Sequence, residues 1–141
     1  MAASASRLVL DDKERFGDWA ITKIPYVETW GSWYEAIGLE RDGSPIAAVI
    51  YNRYTGTDIS MSYAGTPGTQ WLTKGFLRAM WAYPFLQLKV QRVTGLIASR
   101  NEASLQFAQR MGAKVEGRLR NALPDDDQVL VGMIRSECRW V

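Results

Sequence analysis

Apolar and polar positions change their period several times along the chain, and the changes mark out its elements. Ala36 to Glu40 and Pro45 to Tyr54 read as two strands joined across Asp42-Gly43, a dipeptide suited to a tight hairpin turn. Thr55 to Asp58 makes the next turn and Ile59 to Ala64 the third strand of a meander. Gly65 to Thr69 is the most loop-like stretch in the chain. After it, Trp71 to Leu88 repeats at helical spacing. Leu72, Phe76, Leu77, Met80 and Tyr83 fall on one side, Lys74 and Arg78 off it, and Pro84 is placed to kink the last turns. Val93 to Ala98 is almost unbroken in β-branched and apolar residues, which predicts a strand buried on both faces.

The following stretch carries its own start and stop signals. Ser99 and Glu102 have capping-box spacing, Ser104, Phe107, Ala108 and Met111 recur at helical spacing, and Gly112 can end the helix in a left-handed cap. Ala113 to Arg120 alternates again, so a strand, helix, strand unit of this length predicts a parallel crossover. At the N-terminal end, Arg7 to Leu10 is a short strand. Asp11 or Asp12 then caps a helix carrying Phe16, Trp19, Ala20 and Ile24, which Pro25 closes. Asn121 to Asp127 is a polar turn and Val129 to Glu137 the final strand. This order predicts an α/β (α+β) mixed sheet with helices on both faces, in one domain over residues 1–141.

Composition narrows the chemistry more than the fold. The chain is 47% hydrophobic and 23% charged, an ordinary globular balance. No apolar run approaches a membrane span, and the N-terminal MAASASR lacks a basic region followed by an apolar one, so a cytoplasmic protein is expected. Cys138 stands alone, which rules out an internal disulfide. Histidine is absent, removing the Ser-His and Cys-His pairs and the commonest metal ligand. Proton transfer therefore falls to carboxylates, hydroxyls, an amine or water. Asp125, Asp126 and Asp127 read as a solvated turn rather than a metal site, and a net charge of +2 is too small to argue for nucleic acid. Six tryptophans call for a sizeable core, a partner surface or a substrate wall. Tyr26 to Tyr34, with Glu28 inside and Glu35 just beyond, is the candidate wall; covering the core or a dimer contact would use the same aromatics. Trp140, at the end of the last strand, is a candidate homodimer contact.

Several residues together resemble the GNAT superfamily of acetyl-CoA-dependent N-acetyltransferases, and most of all its branch that acetylates protein N-terminal alanines and serines, as on ribosomal proteins. Asn101, Ser104, Gly112, Glu116, Gly117, Leu119 and Arg120 match that branch's Asn-x-x-Ser and Gly-x-x-x-Glu-Gly-x-Leu-Arg spacing. Tyr83, Phe85, Leu88, Arg92 and Val93 match its lead-in. The resemblance implies the GNAT fold: a central, mixed and mostly antiparallel sheet of about seven strands, helices on both faces, and a splayed cofactor cleft. It also implies acetyl transfer from acetyl-CoA to a primary amine, of a peptide N-terminus or a small molecule, by direct attack on the thioester.

The family roles transfer position by position. Backbone groups of Tyr63 and Ala64 would pair with pantetheine and polarise the thioester carbonyl; Asn101 would hold the pantetheine arm, and Phe107 lies on the same helix. Many members protonate the departing thiolate with a tyrosine on this helix; Ala108 stands there, and Ser104 matches the serine of the N-terminal acetylating branch. Thr69, Gln70, Leu72, Thr73 and Lys74 occupy the pyrophosphate loop, where the family carries Gln/Arg-x-x-Gly-x-Gly/Ala. Here the loop glycines fall on Thr69, Trp71 and Thr73, and this departure supports an alternative: a GNAT-fold binding module that no longer takes CoA. Asn101 can equally be a helix cap and Ser104 a small packing residue. Glu28 and Glu35 are the carboxylates available as base or water positioner, with a surface role as the plain alternative. An α-amine, with a pKa of roughly 8 against about 10.4 for lysine, is about 3 kcal/mol easier to obtain neutral. A chain without an obvious base therefore suits α-amines.

Overall fold

The computed structural model describes residues 5–141, so most of the leader reading of MAASASR lies at or beyond its edge. The sheet is organised around β3 (Ser44–Asn52), in which every residue from Ile46 to Tyr51 is buried. Burial on both faces follows from what covers them. Ala48 and Ile50 pack with Phe16 and Ala20 of α1 (Lys13–Ile21), while Ala47, Val49 and Tyr51 pack with Phe76 and Met80 of α2 (Lys74–Ala82). Helix α1 presses onto β2 (Tyr34–Arg41) at Gly38, where a Cβ would come within 2.3 Å of the Phe16 ring. Only a residue without a side chain lets the helix so close.

Seven strands form one sheet in the order β1-β2-β3-β4-β5-β7-β6. The remaining elements are β1 (Arg7–Val9), β4 (Asp58–Gly65), β5 (Arg92–Ala98), α3 (Glu102–Met111), β6 (Lys114–Leu123) and β7 (Asp126–Ile134). The predicted hairpin turns at Asp42 and Gly43, both with positive φ, and joins β2 to β3. Strands β4 and β5 are parallel neighbours, linked by α2, but they pair only at Asp58–Ser60 with Arg92–Thr94. Beyond that they part.

Four expectations shift. Strands β5 and β6 do run parallel about α3, yet they are not neighbours, because the β6–β7 hairpin lays β7 between them. The long polar turn shrinks accordingly: β6 runs to Leu123 and β7 starts at Asp126, since Asp126 and Asp127 are held by Ser99, Arg100, Arg118 and Asn121. Helix α3 starts at Asn101, whose Oδ1 accepts from the Ser104 amide at 3.2 Å. Ser99 is not the cap, as its hydroxyl is spent on Asp126. Gly112 ends the helix at φ 114°, as expected. Helix α2 begins at Lys74, not Trp71, because the Thr73 hydroxyl caps the Phe76 amide at 3.1 Å; Leu72 is left exposed.

Pro84 does more than kink α2. It has no N–H for the carbonyl four residues back, so Tyr83–Gln87 widens into a π-helical turn closed by the Leu88 amide on the Tyr83 carbonyl. The freed Met80 carbonyl accepts instead from the buried Tyr51 hydroxyl at 2.6 Å. Trp140 packs half-buried against its own core and donates to the Met111 carbonyl at 2.9 Å. Cys138 is buried. Among the described residues no helix is long and apolar enough to cross a membrane.

Candidate functional site

Where β4 and β5 diverge the sheet opens. A cleft of about 740 Å³ lies beside the segment that follows α1, bordered by Trp30, Ser62, Leu96, Asn101 and Ser104. On the α2 and α3 side the same opening holds a cavity of about 40 Å³, lined by residues including Met61, Trp81, Gly95 and Ala108. Met61, Tyr63 and Ile97 border both and together form the partition between them.

Alternation along β4 puts Ile59, Met61 and Tyr63 on the helix-covered face, and the Tyr63 ring reaches α3. Its Oη lies 2.7 Å from Ser104 Oγ and 3.0 Å from the Ser104 carbonyl. Burial pushes the Tyr63 hydroxyl above its ordinary pKa, partly opposed by the hydrogen bond to Ser104. The group therefore keeps its proton at neutral pH and is a weaker acid than a free phenol. Tyr63 and Phe107 rings lie 4.9 Å apart, and Phe107 and Trp71 rings 5.9 Å apart. Trp71 lies so flat on β4 that a Cβ on Gly65 would come within 2.0 Å of the indole. Three aromatic rings thus run across the opening between β4 and α3.

At the other end, α2 offers an anion its N-terminus. The Thr73 hydroxyl satisfies the Phe76 amide, while Lys74 and Gly75 are exposed and nothing stands within 4 Å of a Cβ on Gly75. The preceding loop is shaped by Gly68 and Gln70, at φ 80° and 54°, and by the Thr69 carbonyl, which accepts from Arg41 Nη2 at 2.7 Å. Phosphates of acetyl-CoA fit here: two backbone amides, Lys74 and open space. The pantetheine arm would run past Ala64 and Asn101, where Trp71 must turn aside to admit it. Trp81 adds a further fit. Its buried Nε1 has no partner among the described residues, and the residue lines the small cavity, so a carbonyl or a water there would satisfy it.

The sequence candidates separate on this frame. Tyr63, Asn101 and Ser104 share the open cleft with Glu28. Ala64 and Phe107 flank the opening, and Thr69, Gln70, Leu72, Thr73 and Lys74 lie in the loop and first turn at the mouth of α2. Glu35 is not with them: it borders a separate groove with Trp33 and Tyr83, and its Oε1 lies 3.7 Å from Lys13. The aromatic segment divides similarly. Trp30 is buried and donates to the Gly17 carbonyl at 2.9 Å, serving the core and the cleft wall together, whereas Trp33 is exposed against Tyr54. Strand alternation could have flagged the Tyr63 side chain; only its backbone was singled out. Lys23 and Arg53, at the cleft mouth, carry no motif.

The signature residues Arg92 and Glu116 have a structural role. They come from β5 and β6 and meet at 2.7 Å over Gly132 of the intervening β7, where a Cβ would lie 2.4 Å from one and 2.5 Å from the other. Arg92 also reaches Asp58 of β4 at 3.5 Å, so the ion network ties together the paired ends of the strands that part. Among the described residues no group of three or more acidic or Cys side chains could hold a metal ion.

No protein-family model matches the sequence, and no curated protein matches it. Solved structures do. The spermidine/spermine N-acetyltransferase from Vibrio cholerae superposes with a TM-score of 0.71 at 11% identity, over 95% of this chain and 94% of that one. A GNAT-family acetyltransferase from Bacillus anthracis gives 0.61 at 14% identity, over 72% and 67%. A structure described as a probable acetyltransferase gives 0.64 at 22% identity, over 74% and 62%. At these identities the likeness shows the fold, which is that of the GNAT acetyltransferases.

Proposed function

We propose that the chain is an N-acetyltransferase, one domain over residues 1–141, that moves an acetyl group from acetyl-CoA to a primary amine. The observation that carries this reading is the Tyr63–Ser104 pair, a proton donor held on the floor of the opening between β4 and β5. When bound, acetyl-CoA supplies an activated acetyl thioester. The Lys74 and Gly75 amides and the Lys74 ammonium would bind its phosphates, and the Asn101 side chain and the Ala64 backbone would align its arm. As the N–C bond forms and the C–S bond breaks, Tyr63 Oη would give its proton to the leaving sulfur, with Ser104 orienting it, and the proton shed by the amine would return to the Tyr63 phenolate through the solvent of the cleft. This replaces the helix tyrosine whose place Ala108 takes. Glu28, the carboxylate that borders the cleft, would accept a hydrogen bond from the incoming amine.

An α-amine is the favoured acceptor class, because a neutral α-amine is more accessible than a neutral lysine. The resemblance of Asn101 to Arg120 to the N-terminal acetylating branch points the same way; a cytoplasmic location is part of this reading. Spermidine, named for the Vibrio enzyme, is not carried over: at 11% identity only the fold is common ground.

One observation favours a second reading. The Trp71 indole on Gly65 fills the arm's path, as it would in a GNAT-fold module that has lost its cofactor. Titration calorimetry with acetyl-CoA separates the two. Saturable binding, with CoA release when an α-amine peptide is added, is expected of the transferase. No heat at millimolar cofactor would overturn it and leave the module.

A further inference from the structure

We infer that the acceptor amine carries an anionic group, a carboxylate or a phosphate, and that Lys23 and Arg53 bind that group at the mouth of the open cleft. The inference rests on the acetyltransferase reading of the cleft. Three cationic side chains, Lys23, Arg53 and Arg100, border it against a single carboxylate, Glu28. Arg100 is already engaged, with its Nε 3.2 Å from Asp126 Oδ2. Lys23 and Arg53 are exposed and enter none of the ion pairs among the described residues. The cleft therefore offers two uncommitted positive charges.

Their placement is not that of two freely waving surface cations. Lys23 Nζ lies 5.7 Å from the centre of the Trp19 ring. Arg53 follows β3 at φ 54°, a conformation side-chain-bearing residues seldom adopt, and it comes directly after Asn52, whose Nδ2 donates to the Trp30 carbonyl at 3.1 Å. The end of β3 is thereby fixed to the cleft wall while the Arg53 guanidinium stays uncommitted. A guanidinium matches the planar fork of a carboxylate or a phosphate, and an ammonium bordering the same cleft adds a point charge. A linear polyamine would meet the wrong sign.

Glu28, the carboxylate bordering the cleft, remains to orient the amine, while Lys23 and Arg53 hold the other end of the molecule.

The test uses the whole chain and two pairs of amines that differ in charge: the tripeptides Ser-Glu-Glu and Ser-Lys-Lys, and phosphoethanolamine with ethanolamine. Binding is followed by NMR titration without acetyl-CoA, at low and physiological salt, and transfer by CoA release with it. The anionic member of at least one pair is expected to bind tenfold or more tighter, with a margin that shrinks as salt rises; the pair with the larger margin identifies the anion as carboxylate or phosphate. Lys23→Glu with Arg53→Glu should reverse the preference, with circular dichroism and melting temperature unchanged. Equal or inverted preference in both pairs, or indifference to charge reversal, overturns the inference. Anion preference without transfer to any amine would leave the anion site standing and refute the transferase reading instead.

Discussion

Tyr63 of β4 and Ser104 of α3 share a hydrogen bond of 2.7 Å across the gap where β4 and β5 separate. The two strands pair over three residues only, and past Thr94 a side-chain bridge from β4 to α3 replaces the ladder. The bridge spans the opening and leaves a protonated phenol in its floor.

Replacing Tyr63 by Phe removes the proton donor and keeps the ring against Phe107. We expect kcat to fall by about 100-fold, in the range of a lost general acid, with KM for the amine unchanged. Stability should drop by only about 1 kcal/mol, the worth of one hydrogen bond. Ser104→Ala should lower kcat less, since it orients the donor and does not supply the proton. Steady-state kinetics with urea unfolding checks both; an unaltered kcat in Tyr63→Phe would remove it from the chemistry.

Trp71 and Gly65 exclude one another's alternatives. Gly65→Ala puts a methyl where the indole lies and must expel it, and Trp71→Gly deletes the indole outright. If the ring obstructs the pantetheine arm, both variants bind CoA several-fold tighter by calorimetry. Trp71→Gly should also lose roughly 1–2 kcal/mol of stability from its half-buried aromatic surface. Unchanged or weaker binding in both variants would show that the indole is part of the arm's wall.

Glu40 is held by Arg15 at 2.5 Å and Arg7 at 2.8 Å, and these hydrogen bonds lower its pKa below the ordinary carboxylate value. A depressed folded pKa gives stability that is present above the unfolded value, about 4.3, and is lost as pH falls through that value toward the folded one. Urea midpoints taken from about pH 7 to about pH 3 should therefore fall more steeply in the wild type than in Glu40→Gln. Equal slopes would mean that the two arginines leave its proton affinity unaltered.

Local signals were sufficient wherever local physics decides. Asp42-Gly43 turned, Gly112 capped, and Val93 to Ala98 formed a strand, because each depends on its own backbone; that strand is not buried on both faces as expected, since Leu96 is exposed where β5 has left β4. Where a choice lay between near-equivalent groups, a distant partner decided it. Ser99 lost the cap to Asn101 because Asp126, 27 residues on, takes its hydroxyl. Helix periodicity ran through Trp71 and Leu72, but Thr73 caps α2 two residues later and frees Trp71 to fold back on Gly65. Glu28 and Glu35 looked equivalent beside the same aromatics, yet β2 begins between them and carries Glu35 to another groove. Tyr63 could be read as a strand residue; that its ring crosses the opening depends on β5 leaving β4 after three pairs.

The Met80 carbonyl offers the sharpest test of how sequence builds this core. It is buried, Pro84 cannot donate to it, and the Tyr51 hydroxyl donates to it at 2.6 Å. Tyr51→Phe should strand that carbonyl and cost about 1–3 kcal/mol. Pro84→Ala restores an N–H four residues ahead of Met80, so the last turn can close as an α-helix and supply the missing donor. In the wild-type background Pro84→Ala has little to gain, because the acceptor is already used. In the Tyr51→Phe background it should recover a large part of the loss, giving a coupling of about 1 kcal/mol in a double-mutant cycle measured by urea unfolding. Strict additivity would mean that the π-helical turn is imposed by packing of Phe85 and Pro84 against the core and not by the missing N–H.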